Sequence, residues 1–350
     1  MADKITFEGE SSIEGEQVQL CKSLKIGRNT TIKGKEILVE DNVVIGNNTT
    51  ISADHIHIGF GSKIEDNCRI QLTGQNSKFS IGDNCFIGYD SKIIVSSFEA
   101  GDYVSLHNHL LVNGYKPCTL GHNVWIGQNC ILNSTDRLTI GNGVGIGTYS
   151  CVWTHGFFGE LIEGCTIFKV APVTIEDDVW LVGSFNVVSP GITVGRRSVV
   201  LTGSVVTKDV PPYACVAGNP AKDITEKLHP YKQVTVEEKY EMMKKFMKEF
   251  VTAVKANNLT ELENGWHIEE DHQSYNIIFL EEANDQAIKE DAKEIIFAKK
   301  NTTSKYCYET TIFDLSNKTY TKRRTEIEIR VIRFLLPTKA RFLPMTTRNG

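Results

Sequence analysis

An isoleucine, leucine or valine returns every sixth residue along most of this chain, and glycine often follows it. Ile26, Ile32 and Leu38 are spaced by six. So are Ile58, Ile64 and Ile70; Ile81, Ile87 and Ile93; Ile140, Ile146 and Val152; and Val194, Val200 and Val206. A period of six fits neither an α-helix nor a simple alternating strand. It fits a chain tracing flat sides of equal length, three to a coil, so that one coil takes about eighteen residues. Stacked coils then lie about 4.8 Å apart, each hydrogen-bonded to the next, with the aliphatic residues in ladders inside a triangular prism. Two residues before the ladder position stands a small or modest residue, as in Thr30, Cys68, Cys85 and Cys130, which suits a tight corner. Asn and Gly elsewhere in the hexad tolerate positive φ. The phase slips at a few points. Phe98, Val104 and Leu110 keep one register, Leu120, Ile126, Leu132 and Leu138 another, and Ile140 starts a third. We read such slips as inserted residues or loops leaving the prism.

The repeat does not run to the end. Of 28 glycines, all but Gly265 and Gly350 precede Pro230, and charged residues crowd the part that follows. The boundaries read as 1–225 for the prism, 226–258 for a linker and amphipathic helix, and 259–350 for a small C-terminal domain of unknown role. Thr235 and Glu238 form a capping-box pattern. Val236, Tyr240, Met243, Met247, Phe250, Val251 and Val254 follow as one apolar stripe, expected to pack on the prism or on a neighbouring subunit. Tyr275–Glu281 and Glu294–Ala298 read as strands. Tyr306–Leu315 and Thr319–Phe334 read as a hairpin, because Ile327, Ile329 and Val331 alternate with Glu328, Arg330 and Ile332. Lys322, Arg323 and Arg324 then sit on a solvated hairpin edge rather than in a phosphate site. The expected class is mainly β: a β-helix, a helix, and a small α+β or mostly β appendage.

The net charge of −5 argues against a general nucleic-acid binder. No apolar run is long enough to span a bilayer, and no signal-like segment opens the sequence. Nine cysteines are scattered without paired spacing, and several fall at corners where a small apolar side chain is wanted. We read them as reduced, the compartment as cytoplasmic, and expect no metal site.

One interruption of the ladder stands out. His155 follows the ladder residue Val152, and the hexad rule then lapses until Val173. Gly156–Pro172, with Phe157, Phe158, Glu160 and Phe168, reads as a loop leaving the prism beside His155. A neutral histidine is the common general base at neutral pH. One coil of about eighteen residues earlier lies Arg137, so Asp136 is expected one layer from His155. There it would orient the imidazole, bind an acceptor hydroxyl, or serve its own turn. His107 and His109 compete, although both lie in regular ladder. His55 and His57 read as surface, and His122, His229, His267 and His272 have no supporting context.

Three stretches resemble a known family: IEDDVWLVGSFNVVSPG ending at Gly191, VGRRSVVLTGSVV over Val194–Val206, and VTKDVPPYACVAGNPAK over Val206–Lys222. Together they are similar to the C-terminal coils of hexapeptide-repeat acetyltransferases, whose fold is a left-handed parallel β-helix. That group includes galactoside and maltose O-acetyltransferases, xenobiotic acetyltransferases and many sugar-modifying enzymes. The resemblance covers about residues 10 to 225. It implies acetyl-CoA as co-substrate and a homotrimer with sites at the subunit interfaces. The acceptor is then a sugar or nucleotide-linked sugar, and His155 is the general base. Thr154-His155-Gly156 and Pro172-Val173-Thr174-Ile175 match the family's flanks of that histidine, with Gly156 where many relatives carry proline. For the coenzyme groove it implies Gly183, Ser184, Thr202, Gly203, Thr207, Lys208 and Lys222. Thr202 stands where relatives have alanine, and the coil Trp180–Pro190 is one residue longer than the usual form. His109, Trp153, Phe157 and Glu160 are the remaining acceptor-side candidates; Trp153, Phe157 and Phe158 suit either sugar stacking or trimer packing. The alternatives are an antibiotic-modifying O-acetyltransferase and a non-enzymatic β-helix scaffold.

Overall fold

The computed structural model describes residues 3–7, 9–254, 256–270, 273–288, 292–305 and 307–345. The chain divides into two compact units, Met1–Tyr231 and Lys232–Gly350.

The first unit is a parallel β-helix with two eleven-stranded sheets and one nine-stranded sheet as its sides. The chain visits them in a fixed cycle: Thr31–Lys33 on face A, Glu36–Val39 on face B, Val44–Ile45 on face C, then face A again at Thr50–Ser52. On face A the inward rungs Ile13, Ile32, Ile51, Ile70, Ile93, Val112, Leu132, Val152, Val188 and Val206 pair in unbroken register. All are buried. The coil is longer than eighteen residues in most places: Ile32 to Ile51 is a step of 19, and Val112 to Leu132 a step of 20.

The extra residue sits on face B, in agreement with the phase slips read as inserted residues. Its strands place two residues inward, Ile37 with Val39, Ile56 with Ile58, and Leu138 with Ile140. The jump from Leu138 to Ile140 is therefore one strand with two inward positions, not a loop. For the same reason Leu38 points outward between its buried neighbours.

The corner from face C to face A carries a left-handed residue in coil after coil. Asn29, Asn48, Asn67 and Asn129 take φ from 52° to 60° there, and His109, Tyr149 and Phe185 occupy the same place higher up. Asparagine bears this conformation at low cost, and its amides also stack: Asn29 donates to Asn48 at 3.1 Å and Asn48 to Asn67 at 3.3 Å. Just inside the corner, small side chains donate to the carbonyls of the next coil. Thr30 Oγ1 reaches Gly46 O at 2.7 Å, and Cys68 and Cys130 reach Gly88 O and Gly147 O at 3.2 Å. Burial pushes the Cys68 and Cys130 thiols up to about 11, and those of Cys85 and Cys118 up to about 12.

The second unit begins with the expected helix, α1 (Val236–Ala253), whose Thr235–Glu238 capping box is formed. Its apolar stripe packs on the sheet of its own unit. Tyr240 stands edge-on to Phe279 at 5.6 Å, and Lys239 Nζ donates to Leu315 O. The sheet has seven strands, and its core is a row of rings: Phe279, Phe297, Phe313 and Tyr320 stack at 5.4, 4.8 and 5.6 Å. Gln273–Ala283 and Glu294–Asn301 cover the two expected strands. The expected hairpin is only half right, and its first residue, Tyr306, lies outside the described residues. Thr310–Asp314 pairs antiparallel with Thr319–Tyr320, but Glu326–Leu335 is a helix, α2. Ile327, Val331, Ile332 and Leu335 are buried at helical spacing, and Thr325 Oγ1 accepts from Glu328 N–H to cap the helix. Lys322, Arg323 and Arg324 form the loop before α2, where the Glu328 carboxylate accepts from the Arg323 and Arg324 backbone N–H groups.

Among the described residues no helix is long and apolar enough to cross a membrane, and no group of metal-ligating side chains converges.

Two measurements test this arrangement. Chemical denaturation of Ile70→Ala should show a loss of about 2–5 kcal/mol, and of Leu38→Ala less than about 1 kcal/mol; equal losses would contradict the two-inward reading of face B. In the folded protein at pH 8, iodoacetamide should leave Cys68, Cys85, Cys118 and Cys130 unmodified, since burial keeps them as thiols.

Candidate functional site

The ladder does not pause at the long interruption. Val152 pairs with Leu132 below and Val188 above, so the step of 36 residues between Val152 and Val188 spans one layer. The surplus leaves at the corner from face A to face B. There His155–Phe157 pairs antiparallel with Phe168–Val170, forming an arm whose far end is a short 3-10 turn, Leu161–Glu163. Phe158, Leu161, Ile162, Ile167 and Phe168 are exposed along it.

His155 forms the root of this arm. Its Nδ1 lies 2.8 Å from Asn133 Oδ1. Trp153 and Phe157 flank the imidazole, with ring centroids 5.7 and 5.1 Å away, and Phe168 stacks on Phe157 at 5.1 Å. Thr154, fully buried, links the same coil: its Oγ1 lies 2.9 Å from Asn133 Oδ1 and accepts the Asp136 backbone N–H at 3.0 Å.

Asp136 does not orient the imidazole. Its Oδ1 accepts from the Arg137 N–H at 2.7 Å, which is the turn-serving reading. Asn133 stands 22 residues before His155, so neither a step of about eighteen nor this coil's own ladder step of 20 lands on it. Glu160 begins the 3-10 turn at the exposed end of the arm, away from the imidazole's partners. His109 lies at the corner from face C to face A, on the coil that carries Leu106 and Val112, two rungs below Val152. It meets Tyr89 edge-on at 5.6 Å and Asp90 at 3.8 Å. His107 is packed between Phe86 and Trp125, and that burial pushes its pKa down. His122 Nδ1 accepts the Asp102 N–H, and His267 contacts Asn276 in the second unit. His272 lies outside the described residues.

The expected coenzyme residues fall at three places. Gly183, Ser184, Thr202 and Gly203 occupy the corner from face C to face A in the upper coils, where Gly183 and Gly203 both have φ of 71°. Thr207 and Lys208 lie exposed at the corner from face A to face B, on the coil that follows Val206. Lys222 is exposed on the closing antiparallel turn, paired with Ala217. The extra residue expected in Trp180–Pro190 is a β-bulge: Ile146 pairs with Leu181, and Thr148 with Ser184. The bulge is held from inside. Buried Asn186 donates Nδ2–H to Val182 O at 2.8 Å and accepts from Ser204 N–H, while Ser184 and Thr148 hydroxyls meet at 2.7 Å. A Cβ at Gly183 would lie 2.2 Å from Thr202 Oγ1, so Thr202 closes on the backbone here.

A family model for the hexapeptide repeat of succinyl-transferase matches residues 78–104 and 172–208. The galactoside O-acetyltransferase of Escherichia coli K12 is 38% identical over 148 residues, 42% of this chain and 57% of that protein. The first curated relatives are matched over 53% to 61% of their own length. Among solved structures, the polySia-specific acetyltransferase NeuO aligns with 65% of this chain and 99% of its own at 19% identity and a TM-score of 0.40. A maltose O-acetyltransferase of Clostridium difficile 630 aligns with 48% and 67% at 23% identity and a TM-score of 0.27. The chain resembles hexapeptide-repeat acetyltransferases in its repeat and in its terminal coils.

Val182 O accepts from both Asn186 Nδ2 and Thr202 Oγ1, but Asn186 is buried and also takes the Ser204 N–H, so Asn186→Ala should cost about 1–3 kcal/mol in chemical denaturation. An unchanged midpoint would show that the bulge stands without it.

Proposed function

We propose that this chain is an acetyl-CoA-dependent acetyltransferase acting on a sugar hydroxyl or amino group, with His155 as general base. The observation that carries the reading is His155 itself. It is the histidine at the root of the arm, anchored through one ring nitrogen and flanked by aromatic rings. The free ring nitrogen takes the proton of the acceptor as its oxygen or nitrogen attacks the thioester carbonyl. Backbone N–H groups of the Gly183–Ser184 turn receive the oxyanion, while the Gly203 N–H is held by Ser184 O at 2.9 Å. Collapse of the tetrahedral intermediate breaks the C–S bond, and the imidazolium returns its proton to the leaving thiolate, giving free coenzyme A and the acetylated product. Trp153 and Phe157 offer apolar faces to a sugar ring.

One chain holds the two halves of this machinery at different corners, His155 after face A and Gly183–Gly203 before it. The outward side of face A supports an assembly that joins them. Its lower rungs are polar (Thr31, Thr50, Arg69, Lys92), and its upper rungs are apolar (Leu111, Ile131, Cys151, Val187, Val205). Three parallel prisms with face A turned to a threefold axis bring the His155 corner of one protomer against the Gly183 corner of the next. Each interface then holds one complete site.

Release of free thiol from acetyl-CoA, followed across nucleotide amino sugars, simple glycosides and oligosaccharides, tests the activity. His155→Ala should lower turnover about 10²–10⁴-fold with the trimer intact; turnover near that of the unmodified protein would remove His155 from the chemistry. No turnover with any acceptor would favour the scaffold alternative. Co-expression of His155→Ala with Gly183→Ala chains, each inactive alone, should restore activity at about one quarter of the sites, since each needs one intact corner from either chain. No recovery would place the whole site in a single chain.

A further inference from the structure

We infer that Asn133 is the positioning residue that sets which nitrogen of His155 carries the proton; this rests on His155 being the base. Asn133 is buried, at 2% exposure, in the face A strand Ile131–Ser134, one layer below the coil from which His155 leaves. Nothing in its sequence position singles it out, since it stands between two hexad residues.

Its amide is oriented by groups whose direction is fixed. The Thr135 backbone N–H points at Asn133 Oδ1 from 3.2 Å, and a backbone N–H only donates. On the other side Asn133 Nδ2 lies 3.3 Å from the Asn113 carbonyl, which only accepts. The oxygen therefore faces His155, at 2.8 Å from Nδ1. An amide oxygen cannot donate, so Nδ1 must carry the hydrogen, and the neutral ring keeps its lone pair on Nε2. Thr154 completes the clamp: its hydroxyl takes the Asp136 N–H and lies 2.9 Å from the same Oδ1. The lone pair that accepts the acceptor's proton is thus defined before any substrate arrives. The orienter is a neutral amide rather than the carboxylate common beside catalytic histidines, so it fixes the tautomer without adding charge next to the imidazolium formed during turnover.

The tautomer is read directly by long-range ¹H–¹⁵N spectra of the full-length protein with labelled histidine, with His155 assigned by its loss in His155→Ala. The neutral ring should be the Nδ1–H form. In Asn133→Ala it should revert to the Nε2–H form favoured by free imidazole, with kcat reduced about 100-fold or more while the KM for acetyl-CoA changes little. Asn133→Asp, which keeps an oxygen for Nδ1–H, should retain the Nδ1–H signal and recover about tenfold of the lost kcat. A structural role alone would lower the melting temperature of both variants and leave the tautomer unmoved. An Nε2–H ring in the unmodified protein, or an Nδ1–H ring persisting in Asn133→Ala, overturns the inference. An Nδ1–H ring that depends on Asn133, in a protein that turns over no acceptor, sustains the positioning role and overturns the proposed activity instead.

Discussion

The stacked hydrogen-bond ladder is the constraint on which the first unit depends. Each coil must present its strands in register with the coils above and below, and a slip of one residue would turn an inward rung to solvent. Variation in coil length is therefore absorbed where pairing is not required. A single extra residue goes into face B or into the bulge at Val182–Ser184, and larger surpluses leave at the corner after face A. The buried Asn186 shows what the bulge demands: a backbone carbonyl taken out of the ladder still needs a donor.

The same rule places the chemistry. Inside the prism, side chains are mostly apolar and out of reach of any substrate. The corners expose backbone N–H groups, tolerate glycine at positive φ, and let a long excursion depart without disturbing the core. His155 stands at such a departure, one layer from Asn133, and the layer spacing brings the two within hydrogen-bond range. The two halves of the proposed site lie on either side of face A because each needs its own corner.

Much of this was legible in the sequence. The ladder, the break after Val152, the change of character near residue 230 and the Thr235–Glu238 cap each arise from a local pattern with one physical meaning. Other features depend on what pairs with what. Leu38 looks like a rung until face B is seen to hold Ile37 and Val39 inward. Asn133 lies 22 residues before His155, a separation that no coil count gives, because the chain has already left face A where it reaches the imidazole; counting by eighteens points to Asp136 instead. The stretch Ile327–Ile332 satisfies an alternating and a helical pattern at once. The choice lay in Thr325 and Glu328, a capping pair that the alternation concealed.

The arm between Phe157 and Phe168 has a consequence for how such a chain changes over time. Val152 and Val188 meet as ordinary ladder partners whatever lies between them. Doubling a flexible connection costs only about 0.6 kcal/mol of closure entropy. An insertion there is therefore almost neutral for stability, whereas one inside a strand would shift every rung of that side. Selection can lengthen, shorten or rewrite the arm beside His155 with little effect on the fold, so the residues that meet an acceptor are free to diverge faster than the prism that carries them.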